Sequence, residues 1–242
     1  MAEQAPRHPS RFGVLYVVAT PLGNLEDFSP RAVRVLREVD LVLAEDTRTF
    51  GKLAQRFGIQ SKVWSYHEQN ERVQAEKVAQ CIADGQSVAL TSDAGTPTIS
   101  DPGFRLVAAC RAQGLPVVTV PGPCALIAAL SISGLPTDRF RFEGFLPVKE
   151  GKRREALAQA LEETCPTIFY ESPHRIVKTL SAIAEMAHDR EVFVARELTK
   201  LHEEALKATA GALAEDYRNR SSIKGEFVLI ISGAPKRARC AS

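Results

Sequence analysis

The chain has 242 residues, 45% hydrophobic and 25% charged, which is typical of a globular protein that buries a substantial core. Its formal net charge of +2 excludes nucleic-acid binding through overall charge, so such binding would need local basic clusters. The five cysteines form no CxxC pair, and no apolar run is long enough to span a membrane. We expect a cytoplasmic protein with reduced cysteines and no membrane segment. Residues 1–11 are expected to be a disordered tail, and residues 234–242 a second tail.

The first part of the chain, residues 12–122, alternates short apolar runs with amphipathic segments. The apolar runs predict strands at 13–19, 40–44, 61–66, 88–90 and 115–120. Helices are predicted from Ser29-Pro30 onward, from 46 or 47 through 57, over 68–83, and over 104–113. This alternation predicts right-handed βαβ units and a Rossmann-like, mostly parallel sheet in an α/β domain.

Four polar residues, Glu45 to Arg48, directly follow the second predicted strand. Asp46 or Thr47 could cap the next helix, and a role in a site is compatible with capping.

The loop after the fourth predicted strand is much longer than a simple connection requires. It reads TSDAGTPTIS from residue 91, and Asp101-Pro102 after it predicts a helix start. Ligands of open α/β sheets bind outside the carboxyl ends of the strands, so the loop is a candidate ligand cradle. A surface loop rich in turn formers is the alternative. The loop PGPCA after the fifth strand would line the same cleft, with Cys124 as a small packing residue.

The second part, residues 123–233, predicts a second α/β domain with a mixed sheet. Strands are predicted at 140–145, 167–170, 191–195 and 227–231, and helices at 126–133, through 163, and from 173. Lys149, Lys152, Arg153 and Arg154 form its densest basic cluster. Either they are the solvated start of a helix or they contact RNA phosphates.

Several common sites are missing from the sequence. It contains neither GxGxxG after the first strand nor a GxxxxGK[ST] loop, so it has no dinucleotide-binding fingerprint and no P-loop. It also lacks the zincin spacing of histidines, so no protein-only metal site is expected. His174 is interpreted mainly as a hydrogen-bonding residue at a helix start.

Six motifs together resemble one family. LYVVATPLGNLEDFSPRAV, LAEDTRT, SDAGTPTISDPG, PGPCALIAALSISGLP, FYESPHR and ARELTKLHEE are similar, in order and spacing, to the ribosomal RNA small subunit methyltransferase I family of the tetrapyrrole methylase-like class. The resemblance implies a two-domain homodimer that binds S-adenosylmethionine between its domains. It also implies methylation of the ribose 2′-oxygen of a cytidine in the decoding region of small-subunit rRNA, either as naked RNA or in the assembled subunit.

The resemblance also implies residue roles. Positions that match cofactor contacts of the class are Leu22, Ser92, Asp93, Thr96, Cys124, Ala125, Glu171 and Leu198. Family patterns often have serine where this chain has Cys124. The candidate catalytic residues, any of which could supply a base or a polarising cation, are Glu45, Asp46, Arg48, Glu171, Arg175, Arg196, Glu197 and Lys200.

Two other functions remain open at the level of sequence. A methylase that acts on tetrapyrrole carbons would have the same fold, although TPLGN replaces a glycine-richer first loop and ESPHR is foreign to those enzymes. A non-catalytic RNA-binding protein could also retain the fold, but it would not need Glu45 to Arg48 or the SDAGT loop.

Overall fold

The computed structural model describes residues 12–235. The predicted tails, 1–11 and 234–242, lie outside the described residues except for 234 and 235. The chain forms two compact units that divide between Pro123 and Cys124. Within residues 12–235, no helix combines the length and the apolar character that crossing a membrane requires.

The first unit contains a five-stranded, fully parallel sheet, as the sequence predicts. Its strands are β1 (Leu15–Val18), β2 (Leu41–Ala44), β3 (Lys62–Ser65), β4 (Val88–Leu90) and β5 (Val117–Val120). They lie in the order β3-β2-β4-β1-β5, so the central strand, β4, pairs with β2 and β1, which are both distant from it in sequence. Leu15 of β1 lies opposite Val88 on one side and Val117 on the other.

Both faces of this sheet are covered. The helices of the first unit are α1 (Pro30–Glu38), α2 (Thr47–Phe57), α3 (Glu71–Ala83) and α4 (Phe104–Ala112). Because side chains alternate along a strand, Leu41 and Leu43 of β2 join one hydrophobic core while Val42 and Ala44 join the other.

Helix caps agree with the sequence at two sites and disagree at a third. The side chains of Ser29 and Asp46 accept backbone hydrogen bonds at the starts of α1 and α2, as predicted. The predicted start of α4 at Asp101-Pro102 is wrong, since the N-cap is Gly103, with a φ of 129°. The backbone N–H of Gly103 donates to Glu71 Oε2 at 3.0 Å, and this bond ties the end of the loop to the first residue of α3.

The second unit has a mixed sheet, again as predicted. Its strands are β6 (Arg141–Phe145), β7 (Thr167–Glu171), β8 (Glu191–Arg196), β9 (Glu204–Thr209) and β10 (Phe227–Ile231). The order is β6-β7-β10-β8-β9, with β6 and β7 parallel and the other pairs antiparallel.

Helices α5 (Ala125–Ile132), α6 (Glu150–Glu162), α7 (Ile176–Met186) and α8 (Ala210–Asn219) complete the second unit. Neither β9 nor α8 is predicted from the sequence. The strand β9 is an edge strand with alternating exposure, and Leu206 packs on the core while its neighbours face water. Alternation in EALKAT is the signal that could have revealed it.

Candidate functional site

Two loops meet at the edge of the first sheet where its strands end, here called the carboxyl edge. Thr20, after β1, and Gly95, after β4, exchange backbone hydrogen bonds of 2.8 and 3.1 Å. Thr20 Oγ1 also donates to the carbonyl of Ser92 at 3.1 Å. Thr20 is only 2% exposed, so these bonds form a buried connection between the TPLGN and SDAGT motifs. The sequence analysis did not single out Thr20.

The loop after β4 is also tied to strand β2 and to Pro123, which follows β5. Thr91 donates to the Leu43 carbonyl twice, from its backbone nitrogen at 2.9 Å and from Oγ1 at 3.0 Å. Thr96 Oγ1 donates to the carbonyl of Pro123 at 2.9 Å. A plain surface connection would not need such bonds, so the loop has the properties of a built cradle rather than of a turn-rich linker.

Backbone conformation supports the same interpretation. Gly95 has a φ of 82°, and a Cβ built there would lie 3.1 Å from Leu22 Cδ2 and 3.7 Å from the Pro123 carbonyl oxygen. Thr98 and Ser100 adopt φ values of 75° and 64°, which non-glycine residues rarely do. Strained residues of this kind concentrate at functional sites, where the surrounding structure holds them.

Hydrogen bonds link three acidic residues, Glu45, Asp46 and Asp93, at the carboxyl edge. The backbone N–H of Asp46 donates to Asp93 Oδ1 at 3.0 Å, and the backbone N–H of Asp93 donates to the Glu45 carboxylate. Burial, and then the charge of Asp93, raise the pKa of Glu45. Burial also raises the pKa of Asp93, and the charge of Asp46 adds to that effect.

Asp46 has the opposite electrostatic character from Glu45. Its Oδ1 accepts from the backbone nitrogen of Arg48 at 2.8 Å as the cap of α2, and Oδ2 accepts from Arg48 Nη2 at 2.7 Å. The side-chain bond from Arg48, followed by the backbone bond, lowers the pKa of Asp46 to about 2. A carboxylate held this way is a weak proton acceptor.

His67 is a residue of the carboxyl edge that the sequence analysis did not select. It lies two residues past the end of β3, and because Ala44 lies opposite Ser65 in the parallel pair, the continued register places it level with Asp46, next to Glu45. Its interaction with Glu45 partly offsets the rise in the pKa of that carboxyl. Among residues 12–235 its buried Nδ1 has no hydrogen-bond partner. The shared strand register is the signal that could have identified it.

Glu171, a predicted cofactor and catalytic residue, lies in the second unit at the end of β7. Its carboxylate is fully buried and accepts from Arg175 Nη2 at 2.7 Å, Thr179 Oγ1 at 2.8 Å and the backbone nitrogen of Ser172 at 2.7 Å. Since both oxygens already have protein donors, the carboxylate is placed to orient Arg175 rather than to contact a ligand. Thr179, also buried, was not predicted from the sequence.

Four further predicted residues lie at the end of β8 and in the loop after it. Glu197 accepts from Lys200 Nζ at 2.9 Å and from the backbone nitrogen of Glu226 at 3.0 Å, and these bonds lower its pKa although burial opposes them. Glu197 and Thr199 have φ values of 51° and 66°, with Leu198 between them only 8% exposed. Arg196 Nη2 donates to the His202 carbonyl at 3.4 Å.

The remaining candidates lie at the start of α5 and α6. Cys124 is the N-cap of α5 but makes no side-chain cap bond, and Ala125 is the first helical residue. Lys149 and Lys152 are exposed. Arg153, however, is only 6% exposed and donates from Nη1 to the Val148 carbonyl at 3.2 Å. It is buried beside its own helix and unavailable for a surface contact with RNA.

Arg154 also differs from a free surface cation, since its Nη1 lies 2.7 Å from Glu185 Oε2. Within the described residues, no group of three or more His, Cys, Asp or Glu side chains is positioned to hold a metal ion.

Comparison with known proteins places this arrangement in a family. Residues 14–214 match the family model for tetrapyrrole (corrin/porphyrin) methylases. Ribosomal RNA small subunit methyltransferase I of Xylella fastidiosa is 50% identical over 92% of this chain and 82% of its own length. The protein of that name from Escherichia coli O157:H7 is 50% identical over 91% of this chain and 78% of its own.

Solved structures agree on the fold. Uroporphyrin-III-C-methyltransferase from Thermus thermophilus has a TM-score of 0.63 and 18% identity, covering 91% of this chain and 94% of that one. A cobalt precorrin-4 methyltransferase has a TM-score of 0.63 at 17% identity, covering 90% and 94%. The chain therefore belongs to the tetrapyrrole (corrin/porphyrin) methylase family and, within it, to the methyltransferases of the ribosomal RNA small subunit methyltransferase I group.

Proposed function

We propose that this protein transfers the methyl group of S-adenosylmethionine to the ribose 2′-oxygen of a cytidine in the decoding region of small-subunit rRNA. The observation that carries the proposal is the carboxyl edge of the first unit, where the motifs shared with the family are joined by buried hydrogen bonds. The relatives that share half of their residues with this chain are named as methyltransferases of small-subunit rRNA.

The residues of the carboxyl edge fit a sulfonium cofactor. S-adenosylmethionine has no phosphate, so it needs no P-loop; it supplies a methyl group already activated for displacement. The close approach of Leu22 to Gly95 offers an apolar wall, and a Cβ at Gly95 would lie 3.1 Å from Leu22 Cδ2. Asp93, whose carboxylate accepts from the backbone nitrogen of Asp46, provides negative charge for a cationic or hydroxyl-bearing ligand.

The predicted catalytic carboxylates of the second unit are paired with protein cations. Glu171 and Glu197 are both held by protein cations, so neither is a free base. Their partners, Arg175 and Lys200, are the groups that could polarise a substrate or bind a phosphate. Leu198, Cys124 and Ala125 remain proposed cofactor contacts on the strength of the family resemblance.

Glu45 is the proposed general base. A ribose hydroxyl is a weak nucleophile, so removing its proton as the methyl group transfers would assist the reaction. The raised pKa of Glu45 makes it a better acceptor than Asp46, whose pKa is lowered to about 2. Glu45 must be ionised to accept the proton, so the methyl-transfer rate should fall as the pH drops through its pKa.

The test is transfer of labelled methyl from S-adenosylmethionine to small ribosomal subunits that lack this modification, with nuclease mapping of the labelled nucleotide. We expect label on a cytidine ribose. Glu45→Gln should lower turnover by about 10²-fold or more, whereas Glu215→Gln, an exposed control on α8, should not. Label on a tetrapyrrole but not on RNA would refute the proposal, and labelling of subunits but not naked rRNA would identify the assembled particle as substrate.

A homodimer is part of the same proposal, because the family resemblance implies one. Sedimentation equilibrium of the full chain measures it directly. A monomer at the concentrations used in the transfer assay would remove dimerisation from the proposal without affecting the proposed reaction.

A further inference from the structure

The edge strand β6 contains an irregularity that changes where one aromatic side chain points. Phe142 lies opposite Ile168 of β7, but Phe145 lies opposite Tyr170, so three steps along β6 match two steps along β7. Gly144, with a φ of 68°, provides the left-handed residue within this bulge. In a regular strand Phe142 and Phe145 would face opposite sides; the extra residue brings them to the same side.

The bulge gathers three rings. Phe142 and Tyr170 have centroids 5.0 Å apart, and Phe145 and Tyr170 have centroids 5.5 Å apart, both in edge-to-face geometry. Tyr170 is fixed at its other end, where its hydroxyl accepts from the backbone nitrogen of Leu126 at 3.3 Å. Phe145 is nevertheless 57% exposed. The result is an aromatic ring that is supported from behind and open to solvent.

Hydrogen bonds from two arginine side chains hold the next residues, 146–148, in place. Leu146 is buried, and its carbonyl accepts from Arg175 Nη1 at 2.9 Å. The carbonyl of Val148 accepts from the buried Arg153 at 3.2 Å. Val148 itself is 80% exposed. Two arginines therefore fix the backbone of a segment that displays apolar side chains to water.

Positive charge follows these exposed apolar groups in the sequence. Lys149 and Lys152 follow Phe145 by four and seven residues, and both are exposed. Within the part of the chain that the structure describes, neither has a carboxylate within ion-pair distance, whereas nearby Arg154 pairs with Glu185. An exposed, fixed aromatic ring beside unpaired lysines is the combination that binds single-stranded nucleic acid, where a base stacks and phosphates are neutralised.

We propose that Phe145, supported by Tyr170 and followed in the chain by the exposed Lys149 and Lys152, binds an unpaired base of single-stranded RNA by stacking. The inference rests on the proposed function in one respect, that RNA is the substrate. It assigns Phe145 a role in substrate binding and makes Arg153 and Arg175 positioning residues for the segment. Duplex RNA, whose bases are already stacked on each other, would gain nothing from the ring.

The test compares binding of the full chain to a fluorescein-labelled RNA of about 12 nucleotides, as a single strand and as a duplex, by fluorescence anisotropy across salt concentrations. Phe145→Ala should weaken single-strand binding about 10-fold, with unchanged salt dependence and unchanged duplex binding. Phe145→Leu, which keeps an apolar contact on Tyr170, should do the same, and Phe145→Trp should retain affinity. Lys152→Ala should reduce the slope of log affinity against log salt by about one.

Phe104→Ala is the matched control, because Phe104 is 73% exposed on α4 of the first unit, and it should bind RNA normally. Equal single-strand affinity of Phe145→Ala and the unsubstituted chain would overturn the inference. So would an equal loss for single strand and duplex, or a changed oligomeric state with unchanged RNA affinity, which would assign the ring to a contact between copies. Methyl transfer by the unsubstituted chain tests the proposed function separately, so a failure of either is recognised on its own.

Discussion

Neighbouring residues of one type acquire different properties at the carboxyl edge. Glu45 and Asp46 are adjacent in sequence, yet the pKa of Glu45 is raised by burial while hydrogen bonds from Arg48 lower that of Asp46 to about 2. Arg153 and Lys152 are also adjacent and differ in exposure: Arg153 is buried and donates to a carbonyl, whereas Lys152 is exposed. Residue type alone therefore does not decide which group of a polar run reaches a ligand.

The Asp46–Arg48 contact predicts a specific pH dependence of stability. Asp46→Asn keeps an N-cap acceptor and removes the charge. A carboxyl whose pKa falls from 3.8 to about 2 on folding contributes stability above about pH 4 and loses it as pH falls toward 2. The variant should be less stable at pH 7, since it lacks the charge of Asp46. The loss should be small, because the Arg48 side chain is 88% exposed and screened by water, and it should shrink below pH 4. Urea unfolding at a series of pH values measures this, and a difference that stays constant would contradict it.

At the scale of elements, loops carry the tightest constraints in this protein. The loop after β4 is joined to β2, to the loop after β1 and to Pro123, and it ends at Gly103 against Leu90. Helices are constrained mainly along their buried faces, and α2 even contains Gly51 in open surroundings.

Two glycine substitutions should therefore have opposite effects. A Cβ at Gly103 would lie 2.5 Å from Leu90 Cδ2 at a φ of 129°, so Gly103→Ala should lower the free energy of unfolding by about 1–3 kcal/mol. A Cβ at Gly51 meets nothing within 4 Å, so Gly51→Ala should raise the free energy by about 0.5–1 kcal/mol through helix propensity. Chemical denaturation measures the free energy of unfolding of both variants. A Gly103→Ala variant more stable than the unsubstituted chain would contradict the prediction and show that the loop relaxes freely.

For the molecule as a whole, ligand binding should appear as a change in stability. If the carboxyl edge holds S-adenosylmethionine, the cofactor at 100 times its Kd should raise the free energy of unfolding by about 2.7 kcal/mol. Gly95→Ala should reduce this gain, since its Cβ would crowd Leu22 at 3.1 Å. Gly51→Ala serves as the control with an intact gain. Thermal unfolding with and without cofactor measures the stabilisation of each variant. If the cofactor stabilises Gly95→Ala as much as the unsubstituted chain, the cofactor does not bind at this loop.

Local sequence patterns by themselves determined much of the architecture. Continuous apolar runs such as LVLA, buried on both faces, predicted the parallel strands of the first unit, and capping residues predicted the starts of α1 and α2. Gly- and Pro-rich motifs after those strands indicated a ligand site at the same edge, which stays a prediction. These features follow from short-range periodicity and turn chemistry, which a sequence displays directly.

Tertiary structure alone decided which polar groups are available. Glu171 is enclosed because α7 brings Thr179 and Arg175 to it, and Arg153 is enclosed because its chain folds back to Val148. The bulge at Gly144 similarly changes the side on which Phe145 lies. Each outcome depends on the three-dimensional path of the chain and on strand register, which the periodicity of the sequence does not specify.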